Sequence, residues 1–534
     1  MGWLAVFSLT DRAGHLTLDH FAQLLSDDDM VRPLAVTMIV ATSVALLCTL
    51  VAAPMAWLIA RTDMPLARPV RLLVMASFVT PPFLGAVAWE ILAAPNSGLI
   101  NQLYRLAFDL GRESRLVDIY TLLGLILAIA NYTFPYVFIL VANGLDRIPA
   151  DMEDASSILG ASRWRTAARI TIPLVLPAIL AGTLIAFLQA MNNFGSPAII
   201  ALPAGFHTMT TKIWSMFQYP PQPGLAAAAA VPLLVITIML LRTQHAMLGR
   251  RGYAVVGGKG GQSRLVRLGW LRWPALGFCM LVVGGAVILP YAALVLTAFA
   301  KTLTITWSPA GFGLDNFRFV FFEFSSTPLA LKNTFMLGFA AATVGTVVTL
   351  VIAYVVSRRA VPGHGLLGFL ATAPIAIPGI VFGVGLFFAY THPPLVIYGT
   401  LAIMFIAFLT TELPIGFQQF QAAFRGIHIE LEEASRILGA SRLRALKDVI
   451  APLIVTAVVS TWCFIFIAAI RELSAAVLLY TANTKVLSVV IYDLNENGEL
   501  GSIAVLGLLL LVVTFAIIAL AYRLPRAQSI PTSA

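Results

Sequence analysis

Charged residues are scarce in this chain of 534 amino acids. They make up 11% of the sequence, against 59% for the apolar residue types, whereas a soluble domain carries about 25% charged residues. Apolar runs of about 20 residues, the length of a helix that crosses a bilayer, recur along the whole chain. These runs lack the two-residue alternation of membrane barrel strands. The composition therefore predicts an all-α polytopic membrane protein.

The residue types of catalytic and metal sites are also few. The three cysteines, Cys48, Cys279 and Cys463, lie in apolar runs without the spacing of a metal site or a disulfide framework, and the seven histidines are scattered. No Gly-x-x-x-x-Gly-Lys-Ser/Thr phosphate loop occurs. The sequence therefore predicts no catalytic residue, no metal site and no cofactor on this chain.

Eleven apolar segments predict membrane-spanning helices. Their predicted ranges are 34–60, 70–94, 120–145, 172–192, 224–242, 272–300, 333–357, 366–390, 395–420, 451–480 and 502–522. The net charge of +9, from 34 basic and 25 acidic residues, indicates cytoplasmic loops rich in Lys and Arg rather than a nucleic-acid partner. Basic residues at 61–71, 242–272, 358–359 and 523–526 then place these loops and the C-terminus in the cytoplasm.

A polar segment occurs twice, at an offset of 279 residues. The copies read EDASSILGASRWR at 153–165 and EEASRILGASRLR at 432–444, and a proline follows each, Pro173 or Pro452. Similarity continues between residues 37–65 and 334–362, so each half of the chain is one copy of a module. Six predicted helices separate the two polar segments. Because six is even, both segments face the same side, and the repeats are parallel rather than inverted.

The repeat divides the chain into three parts. A first module covers 1–245 with its polar loop at 150–172, a glycine-rich cytoplasmic linker covers 246–270, and a second module covers 271–534 with its polar loop at 428–451. The helix at 272–300 has no counterpart in the first half, where only a ten-residue segment precedes the matching position. Such a segment is too short to cross a bilayer. Either the first half has five helices or its true start lies upstream.

Each polar segment has the pattern of a short helix that ends at a glycine. Three residues at helical spacing precede the glycine in both copies: Ala155, Ile158, Leu159 and Gly160, and Ala434, Ile437, Leu438 and Gly439. One interpretation is an interfacial helix that only links two spans. Because glycine, serine, arginine and proline recur at one offset, we favour a second interpretation, in which each short helix lies in a groove of a soluble partner.

The two segments resemble the signature loop of the permease subunits of ATP-binding-cassette (ABC) importers, Glu-Ala-Ala-x-x-x-Gly with a later proline. The second copy matches with Glu433, Ala434 and Gly439, and the first copy has Asp154 in place of the glutamate, beside Glu153. In that family the loop forms a coupling helix that docks on the ATPase subunit. The implied docking residues are Glu153, Asp154, Ala155, Gly160, Arg163, Glu433, Ala434, Gly439 and Arg442.

The resemblance also implies the partners and the location. It implies two copies of a cytoplasmic ABC ATPase that bind ATP and Mg²⁺, a periplasmic substrate-binding protein, and a multi-pass chain in the bacterial inner membrane that is not itself an enzyme. Residues 194–197 (FGSP) and 471–474 (RELS) make the chain most similar to ferric-iron permeases. Related fused permeases carry thiamine or 2-aminoethylphosphonate. The alternatives from other classes are an ion-coupled secondary transporter and a membrane scaffold.

Four polar residues near the ends of apolar segments are candidates for lining a transport pathway. Asn192 and Asn193 align with Arg471 and Glu472 at the same offset of 279. Charges inside a span usually face a bundle interior or a watery cavity. The other interpretation is that both helices have already ended and these residues lie at the outer surface.

Prolines and two further glutamates interrupt the apolar segments. Residues 80–82 (TPP) and 376–379 (AIPG) predict either irregular backbone around a pore or ordinary kinks, and we favour kinks. Glu90 and Glu412 are further pathway candidates, but Glu412 precedes Pro414 and fits a structural kink better.

Overall fold

A computed structural model describes residues 2–11, 15–146, 148, 152, 156, 158–249, 265–302 and 311–523 of the chain. Within these ranges the backbone forms helices and turns, and its β-type pairings are isolated bridges. The all-α class predicted from the composition is confirmed.

Twelve α-helices precede the region of the predicted linker in the described part of the chain. They are α1 (Gly2–Ser8), α2 (Asp19–Ser26), α3 (Asp28–Arg61), α4 (Ala67–Val79), α5 (Pro82–Ala93), α6 (Leu99–Phe108), α7 (Leu122–Asp146), α8 (Arg163–Thr166), α9 (Ile172–Met191), α10 (Gly195–Ile200), α11 (Met209–Ser215) and α12 (Pro223–Gly249). A π-helical turn, Ala167–Thr171, joins α8 to α9.

The remaining described helices begin with two that have no counterpart in the first half, α13 and α14, and then largely repeat the same order. They are α13 (Arg272–Val283), α14 (Leu289–Phe299), α15 (Asp315–Arg318), α16 (Ser326–Ser357), α17 (His364–Thr372), α18 (Gly379–Tyr390), α19 (Leu401–Arg425), α20 (Ile429–Ile437), α21 (Arg442–Ala445), α22 (Ala451–Ile470), α23 (Ala476–Leu479), α24 (Leu487–Glu496) and α25 (Leu500–Arg523). Thus α16 to α19 correspond to α3 to α7 without α6, and α22 to α25 correspond to α9 to α12.

The helices long enough to cross a membrane agree with the sequence prediction. Nine single helices of the described chain meet the length and hydropathy requirements, and two bent helix pairs bring the number to eleven. One predicted boundary is wrong, because the span expected at 451–480 ends at Ile470. Polar Arg471 and Glu472 follow at once, and Glu472 bonds to the backbone of the next turn rather than continuing the helix.

Two spans predicted as single helices are broken. The chain bends by 104° between α4 and α5 and by 111° between α17 and α18. Each break falls at a proline, which lacks the N–H of a helical bond and forces the preceding residue into an extended conformation. Thr80 and Ile377, the residues before these prolines, are both extended. The expectation of ordinary kinks is therefore wrong, and irregular backbone lies at both positions.

Three long helices form the core of each half. Helices α3, α7 and α9 pack on one another in the first half, and α16, α19 and α22 do so in the second. Glycine permits close approaches between these helices. A Cβ on Gly182 of α9 would lie 2.9 Å from the Val137 Cα of α7, and one on Gly416 of α19 would lie 2.7 Å from the Thr349 Oγ1 of α16.

The bent pair α17–α18 crosses its helix bundle. Helices α16 and α19 end at the same side of the bundle, because Arg358, just after α16, has its Nη2 3.4 Å from the carbonyl oxygen of Ile427, just after α19. The segment between them must therefore carry the chain from that side to the other.

Residue contacts divide the chain into two compact units, Phe7–Asn316 and Phe317–Ala534 with Met1–Val6. The helical segment Gly269–Phe299 packs against α4 and α5 within the first unit. There the hydroxyls of Tyr291 and Thr80 are 2.7 Å apart. The repeat in the sequence assigns this segment to the second module, and the module boundaries drawn from the repeat stay a prediction.

Candidate functional site

The second repeated segment folds as a short helix with a glycine-ended turn. Helix α20 ends before Gly439, whose φ of +90° lies in the left-handed region that favours glycine. The Gly439 N–H donates to the Arg436 carbonyl at 3.0 Å, and the Ala440 N–H donates to the Ser435 carbonyl at 3.1 Å. This pair of bonds is the Schellman motif, which satisfies carbonyls that a helix end otherwise leaves without partners.

The first repeated segment has the same turn in its described residues. Gly160 has a φ of +78°, and the Ala161 N–H donates to the Ser156 carbonyl at 3.1 Å. Glu153, Asp154 and Ala155, three of the predicted docking residues, lie outside the described residues. A serine follows both turns, and the chain then enters α8 or α21, a π-helical turn and the next span.

The two turns present matching apolar side chains to solvent. Ile158 and Leu159 are 84% and 87% exposed, and Ile437 and Leu438 are 85% and 89% exposed. Exposed pairs of large apolar residues at a helix end are typical of a surface that another protein covers. The predicted docking residues Glu433 and Ala434 are exposed beside the second pair. These four residues are not among the predicted docking residues. The sequence signal that points to them is that the same Ile-Leu pair occurs in both copies of the segment.

A buried carboxylate ties α20 to a span. Glu432 is 4% exposed. Its Oε1 accepts a 2.7 Å hydrogen bond from the Tyr354 hydroxyl, and its Oε2 lies 3.3 Å from the Arg358 Nε. Tyr354 belongs to α16, and its ring packs edge-on against Phe424 of α19. The sequence prediction selected the neighbour Glu433 and missed Glu432, which fixes the orientation of α20.

The arginine that aligns with Arg358 is also buried in the first unit. Arg61, at the end of α3, is 2% exposed. Its Nη2 donates to the carbonyls of Leu145 and Ile148, at 3.0 Å for Ile148. These carbonyls lie where α7 leads into the first repeated segment. In each unit, therefore, an arginine at the end of the first core helix binds the chain beside the repeated segment.

The four predicted pathway residues lie just after helix ends, as one of the two interpretations required. Helix α9 ends at Met191, before Asn192 and Asn193, and α22 ends at Ile470, before Arg471 and Glu472. All four residues are partly buried. Their place in a transport pathway stays a prediction.

Asn193 and Glu472 make equivalent contacts. The Asn193 Oδ1 accepts the N–H of Ser196 at 3.0 Å, and the Glu472 Oε1 accepts the N–H of Ala475 at 2.9 Å. Each side chain therefore caps the short segment that follows its span.

The capped segments lie against the helix breaks of their own units. The Ser196 hydroxyl donates to the Pro82 carbonyl at 3.1 Å, at the start of α5. In the other unit a Cβ on Gly379, the first residue of α18, would lie 3.0 Å from the Ser474 Cβ and 3.5 Å from the Glu472 Oε1. Polar side chains and irregular backbone thus meet inside each helix bundle, an arrangement that membrane proteins allow where it lines a cavity or is buried in protein.

The two other glutamates have different surroundings. The Glu90 Oε1 accepts a 2.6 Å hydrogen bond from the Tyr120 hydroxyl, which is a structural contact between α5 and the segment just before α7. Glu412 in α19 is 7% exposed, and its Oε2 has no hydrogen-bond partner in the described part of the chain. No group of three or more His, Cys, Asp and Glu side chains among the described residues is arranged to hold a metal ion.

A protein-family model matches most of the chain, in two parts. Its description is "binding-protein-dependent transport system inner membrane component", and it matches residues 50–251 and 345–529. Each matched part contains one repeated segment with its glycine turn. The family match therefore follows the internal repeat.

Individual relatives carry different cargo names. The ferric transport system permease protein FbpB of Actinobacillus pleuropneumoniae is 29% identical over 82% of this chain, and the match spans 63% of that protein's own length. The sulfate transport system permease protein CysT of Escherichia coli is 30% identical over 26% of this chain and 50% of its own. The molybdenum transport system permease protein ModB of Mycobacterium tuberculosis is 27% identical over 38% of this chain and 73% of its own.

Proposed function

The chain belongs to the family of binding-protein-dependent transport system inner membrane components, and from this premise we propose that it is the permease of an ATP-driven ABC importer. Both transmembrane modules are fused in the one chain. The observation that carries the proposal is the pair of repeated turns, each with a left-handed glycine and two exposed apolar side chains at the same offset.

Each repeated turn is the docking element for one copy of a cytoplasmic ATPase. A short helix with an exposed apolar end fits a hydrophobic groove, and burial of that end supplies binding free energy. Two equal turns require two equal grooves, which a pair of identical ATPase subunits provides. ATP and Mg²⁺ bind to those subunits, and their closure moves both coupling segments.

The two turns and the C-terminus face the cytoplasm in this proposal. The basic clusters near residues 61–71 and 358–359 lie at the same helix ends as the repeated segments, and basic residues collect on the cytoplasmic side. The opposite ends of the spans then face the periplasm, where a substrate-binding protein delivers its cargo. Asn192, Asn193, Arg471 and Glu472, beside the broken spans, are the proposed pathway residues.

We propose Fe(III) as the cargo. The ferric permease relative supports this choice because its match extends over 82% of the chain, whereas the sulfate and molybdenum permeases match shorter stretches. Import of sulfate or molybdate is the alternative that those relatives support, and 2-aminoethylphosphonate or thiamine is the alternative from the sequence motifs. Cargo selectivity is assigned to the periplasmic binding protein, from which the permease receives the cargo.

The test is purification from native membranes with mild crosslinking, followed by mass spectrometry of the proteins that remain bound. We expect an ABC ATPase with the wild-type chain and its loss from a variant with Gly160→Trp and Gly439→Trp, because a large residue in the left-handed conformation disrupts both turns. Reconstitution in liposomes should then show ATP hydrolysis stimulated by iron-loaded binding protein. Uptake without any ATPase would support an ion-coupled secondary transporter instead.

A further inference from the structure

The outward half of helix α16 is bound to helix α24 by buried polar contacts, about two turns from the start of α16. The Thr334 hydroxyl accepts the N–H of Leu487 at 2.8 Å, at the start of α24. The Asn333 side-chain amide donates to the carbonyls of Asn483 and Lys485 at 3.2 and 2.9 Å. Asn333 and Thr334 are 2% and 3% exposed. The first bond satisfies an N–H that the first turn of α24 leaves without an intrahelical partner, and the other two bind α16 to the segment just before α24.

The cytoplasmic end of α16 is bound to the coupling helix α20. Tyr354 and Arg358 both contact the carboxylate of Glu432, the buried residue of α20. Thr334 and Arg358 are separated by about 36 Å at 1.5 Å per helical residue. The helix between them is continuous, and its sequence has no proline from residue 329 to residue 357. The bent pair α17–α18 of the same unit is broken at Pro378, and α19 contains Pro414, which removes one of its backbone hydrogen-bond donors.

We propose that α16 is a rigid rod that carries the motion of the coupling helix α20 to helix α24 at the outward face. The proposal rests on the importer function proposed above and identifies the structural path by which ATPase closure reaches the face where the binding protein sits. Glu432 is the inner connection of the rod, and Thr334 is the outer one. A chain of packed, hydrogen-bonded elements of this kind is the physical requirement for coupling across such a distance.

The first unit has matching connections at both ends of α3. The Thr37 hydroxyl accepts the N–H of Met209 at 2.8 Å, at the start of α11. Arg61 binds the carbonyls beside the first repeated segment. Because α3 contains Pro33 and Pro54, the rod is assigned to α16, where the helix is regular over its whole length.

The experiment compares variants at the two ends of α16 in the full complex of permease, ATPase and binding protein in liposomes. Tyr354→Phe weakens the inner connection, because it removes the hydroxyl that donates to Glu432, and Thr334→Val weakens the outer one. Tyr354→Phe preserves the ring packing on Phe424, so we expect this variant to fold. We expect each variant to retain bound ATPase and basal hydrolysis. Stimulation of hydrolysis by loaded binding protein should fall by about fivefold or more, to the same residual level in each variant, because one broken connection uncouples the whole rod.

Matched controls separate coupling from general damage. Tyr398→Phe makes the same change as Tyr354→Phe at a tyrosine of the same unit that takes part in neither connection and whose ring packs edge-on against Phe387. Thr514→Val removes a buried hydroxyl that bonds to the Leu510 carbonyl of its own helix at 2.7 Å. Both controls should keep full stimulation.

The double variant Tyr354→Phe with Thr334→Val gives the most specific readout. If the two connections act in series on one rod, the double variant should lose no more stimulation than either single variant. If the two sites act independently, the fold losses of the single variants should multiply in the double variant. Stimulation equal to that of the controls in all single variants, or multiplied losses in the double variant, overturns the rod. A wild-type complex that contains no ATPase overturns the importer function and the rod with it.

Discussion

Gly160 and Gly439 are separated by 279 residues in the sequence and have the same left-handed backbone conformation, with φ values of +78° and +90°. Apart from the two adjacent residues of the chain, no atom of the described residues lies within 4 Å of the position that a Cβ would occupy at either glycine. Space is therefore not the reason for glycine at these turns. The reason is the backbone conformation, which L-residues with a Cβ adopt only at a cost in free energy.

Replacement of these glycines by alanine should disturb the turns without any steric clash. Gly439→Ala should destabilise the turn by about 1–2 kcal/mol, and Gly439→Asn by less because asparagine tolerates the left-handed region. Retention of the ATPase during purification measures the effect, with the order wild type, Asn, Ala. Gly365→Ala is the control, since its site is equally open and its φ is not positive. Equal retention by all four proteins would exclude a conformational role for Gly439.

Charged residues in place of the exposed apolar pair should weaken ATPase binding while the fold remains. Ile437→Glu with Leu438→Glu removes two side chains that are each worth about 1.5–3 kcal/mol when fully buried in a partner. We expect loss of co-purified ATPase and an unchanged melting temperature, because both side chains are exposed in the free chain. Leu16→Glu, at an equally exposed leucine outside the repeated segments, should leave the ATPase bound. Retention of ATPase by the double variant contradicts the docking surface.

Removal of one partner of the Arg358–Glu432 pair should destabilise the second unit. Both side chains are nearly inaccessible to solvent, so Arg358→Met leaves an uncompensated buried carboxylate at a cost of about 3–5 kcal/mol. Arg358→Met with Glu432→Leu should recover most of this loss, because the buried charge is then absent. Thermal unfolding in detergent measures the stability of the single and the double variant. A double variant less stable than Arg358→Met would show that the hydrogen bond from Tyr354 to Glu432 contributes more to stability than the compensation of charge does.

Most of the helical architecture could be predicted from the sequence, because the length and hydropathy of a span are local properties. The eleven segments and the two repeated loops illustrate this. The 104° and 111° bends could not be predicted, since a proline permits a kink or a break and packing decides between them. Packing also decides which of two adjacent glutamates is buried, and for that reason the sequence predicted a role for Glu433 and none for Glu432. Adjacent helical residues point about 100° apart, and the contact with Tyr354 decides which one is buried.

A capping role and a pathway role for Glu472 predict different effects of two substitutions. Glu472→Gln keeps a side-chain oxygen that can accept the Ala475 N–H, so the fold should be retained, whereas Glu472→Ala loses the cap at a cost of about 1 kcal/mol. In the other unit Asn193→Asp and Asn193→Ala form the same comparison. If Glu472 also contacts a cationic cargo, Glu472→Gln should reduce uptake per ATP hydrolysed while its melting temperature stays at the wild-type value. Normal uptake by Glu472→Gln together with lower stability of Glu472→Ala would show that the Glu472 side chain acts only as a cap. It would exclude a role for the carboxylate in the pathway.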